Sequence, residues 1–308
     1  MDTRGSEGRL AARAAPQQYQ ARWLYGVLLI TAATLMWSSA GFFVRALDLD
    51  LWSLVAWRSL FACLCLVPLA FMLGGVAPFR LRRSLGLGGT LAIPVMAVAM
   101  FSYVAALKLT SVANVMIIYA TLPFVAAGLA FLLLNERPGR SALWAAGVAL
   151  LGVLIMAGSA TAMADLAGNA FALLMTMGFA ASVVIARRWA DYDAVLVTGL
   201  SSGLCGLACL AVALVVLPAV PIPTLPQIVI LFLFSLATQS LSYLFFLLGS
   251  RHVPSAEAGL IALLDVILGP LWVWLVFAEE PGTPALIGGT FVLLAVVGYL
   301  VLPRARST

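Results

Sequence analysis

The sequence predicts an all-α, polytopic membrane protein in which ten transmembrane helices form two inverted repeats of five helices. Three observations predict this fold. Only 9% of the 308 residues are charged and the mean hydropathy is +1.11, whereas a soluble globular chain carries about 25% charged residues. The apolar residues form long runs, and the second half of these runs repeats the first. Finally, lysine and arginine fall almost entirely on one side of the predicted membrane.

The apolar runs, each bounded by charge, proline or glycine, are long enough to cross a bilayer as helices. A β-barrel would show short strands of alternating polarity, whereas helices pair their backbone polar groups internally and suit continuous apolar runs. The predicted spans cover residues 23–46, 51–73, 86–107, 111–134, 141–158, 168–186, 194–217, 227–250, 256–277 and 284–302.

Basic residues set the predicted orientation, because the cytoplasmic loops of membrane proteins are enriched in lysine and arginine. With the N-terminus in the cytoplasm, fourteen arginines fall on that side, and only Arg45 and Lys108 fall outside. An error of one span would move the later basic loops outside, so the bias favours ten spans and two cytoplasmic termini. Residues 1–22 are polar and basic, without the apolar core of a signal peptide, and are expected to form a mobile cytoplasmic tail.

The chain contains an internal repeat. At an offset of 142 residues Arg45 aligns with Arg187, and at an offset of 143 Glu136 aligns with Glu279. Because each unit holds five spans, the second unit enters the membrane in the opposite direction. Inverted repeats are typical of secondary transporters, whose substrate site lies near the midplane between the halves. The two predicted repeats comprise residues 23–158 and 168–302.

Several motifs characterise the two halves. The first half contains Trp37-Ser38 in span 1, Trp57-Arg58 in span 2, Lys108 to Ala113 entering span 4, Pro123 within it and Asn135-Glu136-Arg137 at its end, and the second half contains Arg251 to Ala256 and Glu279. With these motifs the chain resembles the EamA family of the drug/metabolite transporter superfamily over about residues 24–302. Within that superfamily it is most similar to bacterial exporters of aromatic and other neutral amino acids.

This resemblance implies an exporter in the inner (plasma) membrane, with a central cavity lined by helices 1, 3, 4, 6, 8 and 9 and with helices 5 and 10 at the periphery. The expected partners are a small-molecule substrate and the lipid bilayer, and the chain is expected to function as a monomer. No cofactor or metal is expected. The basic residues lie between apolar runs rather than in one patch, so no nucleic-acid partner is expected either.

Polar and aromatic residues on the predicted cavity helices are the candidate substrate contacts. Gln239 and Tyr243 are four residues apart and share one face of span 8. Asp265 lies near the middle of span 9, and such intramembrane acids are costly and usually functional; it would receive an ammonium group or a proton. The alternative for every candidate is hydrogen bonding or packing between helices. The full predicted set is Trp37, Ser38, Tyr103, Asn114, Tyr119, Gln239, Tyr243 and Asp265.

Three further residues have two interpretations each. Pro94 and Pro123 interrupt spans 3 and 4, and they are predicted to act as hinges or as fixed kinks. Arg58 lies seven residues into span 2, which is not expected to line the cavity. It is therefore expected to be a structural tether that pairs with carbonyl groups or snorkels outward. The alternative role for Arg58 is to hold a substrate carboxylate.

Glu136 and Glu279 are expected to be architectural. In inverted repeats these equivalent acids would lie at opposite membrane surfaces, so they cannot serve one central site. Each is expected to brace the short turn that follows a cavity helix.

The sequence therefore predicts a secondary transporter that exports aromatic and other neutral amino acids, or similar small metabolites, by alternating access. Two alternatives remain: an exporter of cationic amphiphilic drugs with Asp265 as the counter-ion, and a passive channel. An enzyme is not expected, because the chain has one histidine and shows no nucleophile–base pair or phosphate loop within the spans. A carrier of sugar phosphates would need several cavity-facing cations, which the sequence does not offer.

Overall fold

The computed structural model describes residues 3–74, 81–135, 140–157, 163–189 and 192–301, and every regular element in these ranges is helical. A π-helical segment, Leu236–Leu241, joins α10 to α11. The helices are α1 (Thr3–Ser38), α2 (Ala40–Ala46), α3 (Leu51–Gly74), α4 (Leu81–Leu109), α5 (Val112–Ala120), α6 (Leu122–Leu134), α7 (Arg140–Ala157), α8 (Met163–Arg188), α9 (Ala194–Val216), α10 (Leu225–Ser235), α11 (Ser242–Gly249), α12 (Ser255–Ala262), α13 (Asp265–Phe277) and α14 (Thr283–Val301).

Within the described ranges, seven helical segments are long and apolar enough to cross a membrane. The pair α5 and α6, which meet at 42°, makes an eighth if it is one span. Two shorter apolar helices, α7 and α14, lie where spans 5 and 10 are predicted. The all-helical, multi-span class is therefore confirmed, and the count of ten spans stays a prediction.

The first helix extends far beyond the first predicted span. It begins at Thr3, so its backbone is helical through most of the segment 1–22 that was expected to form a mobile tail. The alanine-rich stretch 10–15 explains this extension, because alanine, leucine and arginine have high helix propensity. No break in the helix marks residue 22.

The helices α1 and α2 pack in parallel along α12 and α13. Three side-chain hydrogen bonds join them, and in each the partners are 234 residues apart. A constant difference in residue number requires two helices to run in the same direction. These bonds link Trp23 to Glu257, Trp272 to Ser38, and Arg45 to Glu279.

An equivalent parallel pair is formed by α5 and α6 with α8. Thr110, just before α5, lies against Asp165 at the start of α8. Further along both helices, the rings of Tyr119 and Phe179 are 6.2 Å apart. The first and fourth spans of each repeat thus pack against the fourth and first of the other. Two repeats related by an approximate two-fold axis produce this arrangement.

Glycine allows close approach in two further helix pairs. A Cβ atom on Gly203 of α9 would lie 2.8 Å from the Cys63 sulfur of α3, and one on Gly152 of α7 would lie 2.5 Å from the Gly288 carbonyl oxygen of α14. Neither space admits a side chain, so α3 packs directly on α9 and α7 on α14. Beyond this contact α7 exposes a broad apolar face that includes Trp144, as a lipid-facing helix does.

The two repeats share their helix breaks. The fourth span is interrupted at Thr121 and the ninth at Leu263–Leu264, and Thr121 aligns with Leu264 at the repeat offset of 143. Both broken spans also end in a left-handed residue, Asn135 with φ of 55° and Ala278 with φ of 52°. Further interruptions fall after Ser38 in the first span and in the π-helical segment of the eighth.

Candidate functional site

Three polar or ionisable side chains from both repeats lie around Tyr103 of α4. Tyr103 lies within electrostatic range of Asp265 on α13, Arg58 on α3 and Tyr119 on α5. Asp265 and Arg58 are buried, with 7% and 2% of their surface exposed. We call Arg58, Tyr103, Tyr119 and Asp265 the central cluster. Three of its four members were predicted as site residues, and Arg58 was expected to point elsewhere.

The central cluster lies between helices of the two repeats. Tyr103 and Tyr119 lie deep in the helical bundle, yet both keep partly accessible side chains. These two rings are therefore not fully packed against other side chains.

Asp265 owes its position to the break in the ninth span. It is the first residue of α13, immediately after the turn at Leu263 and Leu264. The N-terminus of a helix favours a negative charge, because its free N–H groups carry partial positive charge. One carboxylate oxygen of Asp265, Oδ1, has no hydrogen-bond partner among the described residues. This buried oxygen can therefore accept a bond from a bound molecule.

The contacts of Arg58 differ from those expected of a structural tether. Its guanidinium carbon lies 4.7 Å from the centre of the Phe234 ring, so the cation stacks on an aromatic face. Neither Nε nor Nη1 has a hydrogen-bond partner in the described part of the chain. The sequence could not show this, because a 3.6-residue period does not indicate which face of a uniformly apolar helix turns inward.

Aromatic side chains surround the central cluster. Phe234, under Arg58, stacks on Phe43 of α2 with ring centres 5.1 Å apart. Phe179 of α8 makes an edge contact with Tyr119, and Phe101 of α4 stacks on Trp52 at 5.2 Å. An apolar, aromatic wall with a few polar groups is typical of sites for small organic ligands.

Gln239 lies in the π-helical segment, where the widened turn shifts the side chains that follow. Its Nε2 donates to the Ser202 hydroxyl at 3.1 Å and approaches the Met100 sulfur at 3.4 Å. Its Oε1 has no partner within the described chain. π-Bulges are frequent at functional sites, and Gln239 offers a free acceptor between α4 and α9.

Three other predicted residues lie outside the central cluster. Ser38 accepts a hydrogen bond of 2.9 Å from Trp272 and donates to a carbonyl of its own helix, so its hydrogen-bonding capacity serves helix packing. Trp37 packs its ring on Phe246 at 5.2 Å. Tyr243 packs against the apolar contact between α3 and α9.

Asn114 also lies outside the central cluster, in the first turn of α5. Its side chain donates to the Thr110 hydroxyl at 3.3 Å, and its backbone N–H donates to the Ser111 hydroxyl. This first turn lies at one end of the bundle, more than a helical turn from Tyr119. The structure therefore places Asn114 at the start of α5 rather than in the central cluster.

The two predicted hinge residues have different surroundings. Pro123 is the second residue of α6, directly after the break at Thr121. Proline suits this position, since its missing N–H is not needed in the first turn of a helix. Pro94 lies inside α4, eight residues after the kink at Gly86, where φ is 54°. Only Pro123 coincides with a visible interruption of its span.

At one end of the bundle, Glu279 ties the two repeats together. Its Oε2 accepts from Arg45 Nε at 2.7 Å, and its Oε1 accepts from the Val112 backbone N–H at 2.9 Å. Arg45 also donates to the carbonyl oxygens of Leu107 and Thr110. We call this set the Glu279 network. Its architectural role agrees with the sequence prediction, but it bridges to the first repeat instead of bracing its own turn. Glu136, its sequence equivalent, lies outside the described residues.

The charges of the described chain differ between the two ends of the bundle. Arg45 and Lys108 lie at the end that holds the Glu279 network, whereas Arg22, Arg187, Arg188 and Arg251 lie exposed at the other. At that second end Trp23 donates to Glu257 at 2.8 Å, in the first turn of α12.

The helices and their inverted packing define a multi-span membrane protein of two related halves, with a cluster of polar side chains buried between them. Comparison with known families agrees: the sequence profile of the EamA-like transporter family matches residues 24–158 and again residues 166–301. The chain belongs to this family. It is therefore a membrane transporter of small molecules, and its family is one of transporters rather than enzymes.

A solved crystal structure supports the fold. That protein superposes with a TM-score of 0.63 at 17% sequence identity, over 91% of this chain and 98% of its own. At this identity the likeness shows a shared fold and nothing about the substrate. A comparison with curated proteins found no significant match.

Proposed function

We propose that the protein is a secondary transporter that exports neutral amino acids, aromatic ones among them, or similar small metabolites across the plasma membrane. The observation that carries this proposal is the buried acid Asp265, which has an unpaired carboxylate oxygen and lies near Tyr103 and Tyr119 between helices of the two repeats. A buried carboxylate with a free acceptor is suited to a substrate ammonium group.

The walls of the site support a substrate with an apolar or aromatic side chain. Phe43, Phe179 and Phe234 present rings around the central cluster. Aromatic surfaces gain free energy from burying apolar area and from edge or offset contacts between rings. The site thus combines one acid for an amino group with an apolar region for a side chain.

The proposed mechanism is alternating access. Both repeats contain a broken cavity helix, at Thr121 and at Leu264, and broken helices around a central site are usual in transporters that rock one half against the other. The Glu279 network closes one end of the bundle across the repeats. Opening that end requires these bonds to break, so the network is suited to act as a gate.

The proposed orientation has both termini in the cytoplasm, ten spans and one functional chain. The exposed arginines at the Glu257 end support a cytoplasmic location for that end. The parallel packing of the first and ninth spans agrees with an odd number of spans between them, as the seven predicted spans 2 to 8 provide. The Glu279 network would then be the outer gate.

One alternative substrate class is supported by the same acid. A cationic amphiphilic compound would also pair with Asp265 and stack on the aromatic walls. Such a compound has no carboxylate, so the site would not need a group that recognises one. Competition between amino acids and cationic amphiphiles for transport therefore separates the two proposals.

The test is flux of radiolabelled phenylalanine or threonine in proteoliposomes, with and without a pH gradient. We expect saturable flux, which a passive channel would not give. Asp265→Asn should lower it at least about tenfold, because a charged hydrogen bond contributes roughly 1.5–3 kcal/mol. Asp48→Asn, in the exposed loop after α2, is the matched control and should keep wild-type flux. Failure of every amino acid to exceed empty vesicles would reject the proposal.

A further inference from the structure

Arg58 is a buried cation without a counter-ion in the described part of the chain. Only 2% of its surface is exposed, and Nε and Nη1 have no hydrogen-bond partner there. The groups that act on its charge are Tyr103 and Cys205, both neutral in their ordinary state. A tether would instead pair these nitrogens with carbonyl groups at a helix end, as Arg45 does.

The contacts that Arg58 makes do not offset the cost of burying it. An unpaired charge inside a membrane protein is strongly unfavourable. Stacking on Phe234 at 4.7 Å offsets only part of that cost, because a cation–π contact is weaker than the hydration that the buried charge loses. The guanidinium N–H groups therefore retain most of their capacity for an anion that the protein itself does not supply.

The surroundings of Arg58 also contain unused hydrogen-bonding groups. The hydroxyl of Ser235, next to Phe234, is buried without a partner in the described chain. The indole Nε1 of Trp57 is likewise buried and unpartnered. Native proteins leave few buried polar groups unpaired. Their concentration on α3 and at the end of α10, where these helices face each other, marks a place for a polar group from outside the chain.

The two charges of the central cluster remain separate. Tyr103 lies near both Arg58 and Asp265, and no ion pair joins these two residues in the described part of the chain. The central cluster therefore presents a positive and a negative group that are not paired with each other. A free amino acid carries both complementary charges.

We propose that Arg58 binds the carboxylate of the substrate. The planar guanidinium offers parallel N–H donors that match the two oxygens of a carboxylate, while Asp265 receives the ammonium group. This assignment rests on the proposed function and adds a requirement to it: the substrate must have a free carboxylate. It also disfavours a purely cationic substrate, which Arg58 would repel.

The experiment measures ligand-dependent thermal stabilisation of the purified full chain in detergent. The ligands are phenylalanine, phenylalaninamide, which lacks the carboxylate, and phenylpropionate, which lacks the ammonium group. Arg58→Gln should weaken phenylalanine and phenylpropionate at least about tenfold, in line with a lost charged hydrogen bond, and leave phenylalaninamide within about twofold. Asp265→Asn should give the converse pattern. Arg58→Lys should keep the preference for a carboxylate at lower affinity.

Arg251→Gln, in an exposed turn, is the matched control and should bind all three ligands as the wild type does. Size-exclusion profiles and the unliganded melting temperature report whether each variant folds. If Arg58→Gln does not fold, the comparison of the three ligands is made with Arg58→Lys. Equal weakening of all three ligands, or none, would overturn the role of Arg58. Phenylalanine flux by the wild type would then still support the proposed function, whereas wild-type protein without amino acid flux or binding would reject both.

Discussion

Replacing Glu279 with alanine should open the end of the bundle that the Glu279 network closes. The carboxylate accepts two charge-assisted hydrogen bonds, from Arg45 Nε at 2.7 Å and from the Val112 N–H at 2.9 Å. Such bonds contribute about 1.5–3 kcal/mol each when shielded. The Arg45 and Glu279 side chains are 24% and 22% exposed, so solvent screening reduces the total.

A net loss of about 2–3 kcal/mol is therefore expected, which corresponds to a shift of roughly 30- to 150-fold in the ratio of closed to open states. Glu279→Gln should have a smaller effect, because the amide oxygen still accepts from Val112 while the charge is lost. The neighbouring Glu280 is exposed, so Glu280→Ala is a control matched in charge, size and position.

Hydrogen–deuterium exchange on the protein in nanodiscs measures this shift. In Glu279→Ala, exchange should accelerate in the first turn of α5 and the last turn of α13, the two helix ends that Glu279 joins. Peptides from α7 and α14 should remain as in the wild type. Unchanged protection at both helix ends, or an equal effect of Glu280→Ala, would refute the gate.

Two further predictions concern the prolines and the packing glycines. Pro123→Ala should lower the transport rate several-fold with little change in substrate binding, because the restored N–H lets the helix continue across the break at Thr121. Pro94→Ala should change the transport rate less. Unchanged transport rates in both variants would reject the hinge. Gly152→Ala should lower the melting temperature in detergent, because its Cβ would lie 2.5 Å from a carbonyl oxygen of α14, and overpacking costs about 1–3 kcal/mol. Gly147, on the same helix, has open space around it, so Gly147→Ala should not destabilise the protein.

The sequence predicted the features that depend on composition and periodicity. The long apolar runs predicted the helices. The repeat offset of 143 residues aligned Thr121 with Leu264, and the structure has a helix interruption at each of these positions. Asp265 was found because an acid within a span is conspicuous. These signals are local or recur along the chain, so they need no knowledge of how the helices pack.

The sequence did not predict which faces of the helices meet. Span 2 is apolar on all sides, so its periodicity could not indicate that Arg58 turns inward. Asn114 has the same polarity as a site residue, but it lies in the first turn of α5, where its backbone N–H donates to the N-cap Ser111 and its side chain donates to Thr110. Glu279 accepts a hydrogen bond from Arg45, which lies 234 residues earlier in the chain, whereas the sequence near Glu279 indicates only the end of a helix. Such contacts depend on tertiary packing, which a single sequence does not display.

The repeats duplicate the shape of the site and not its charges. Both halves break a cavity helix at the same position, yet the residue after the break is Leu122 in the first half and Asp265 in the second. At the offset of 142 residues, Arg58 likewise corresponds to Leu200. Under the proposed function, a two-fold scaffold with one carboxylate and one guanidinium would bind a dipolar substrate in a single orientation, because the reversed substrate would place each of its charges beside a like charge. In that proposal the shared backbone provides the movement that opens either side, while unshared side chains such as Arg58 and Asp265 determine what is carried.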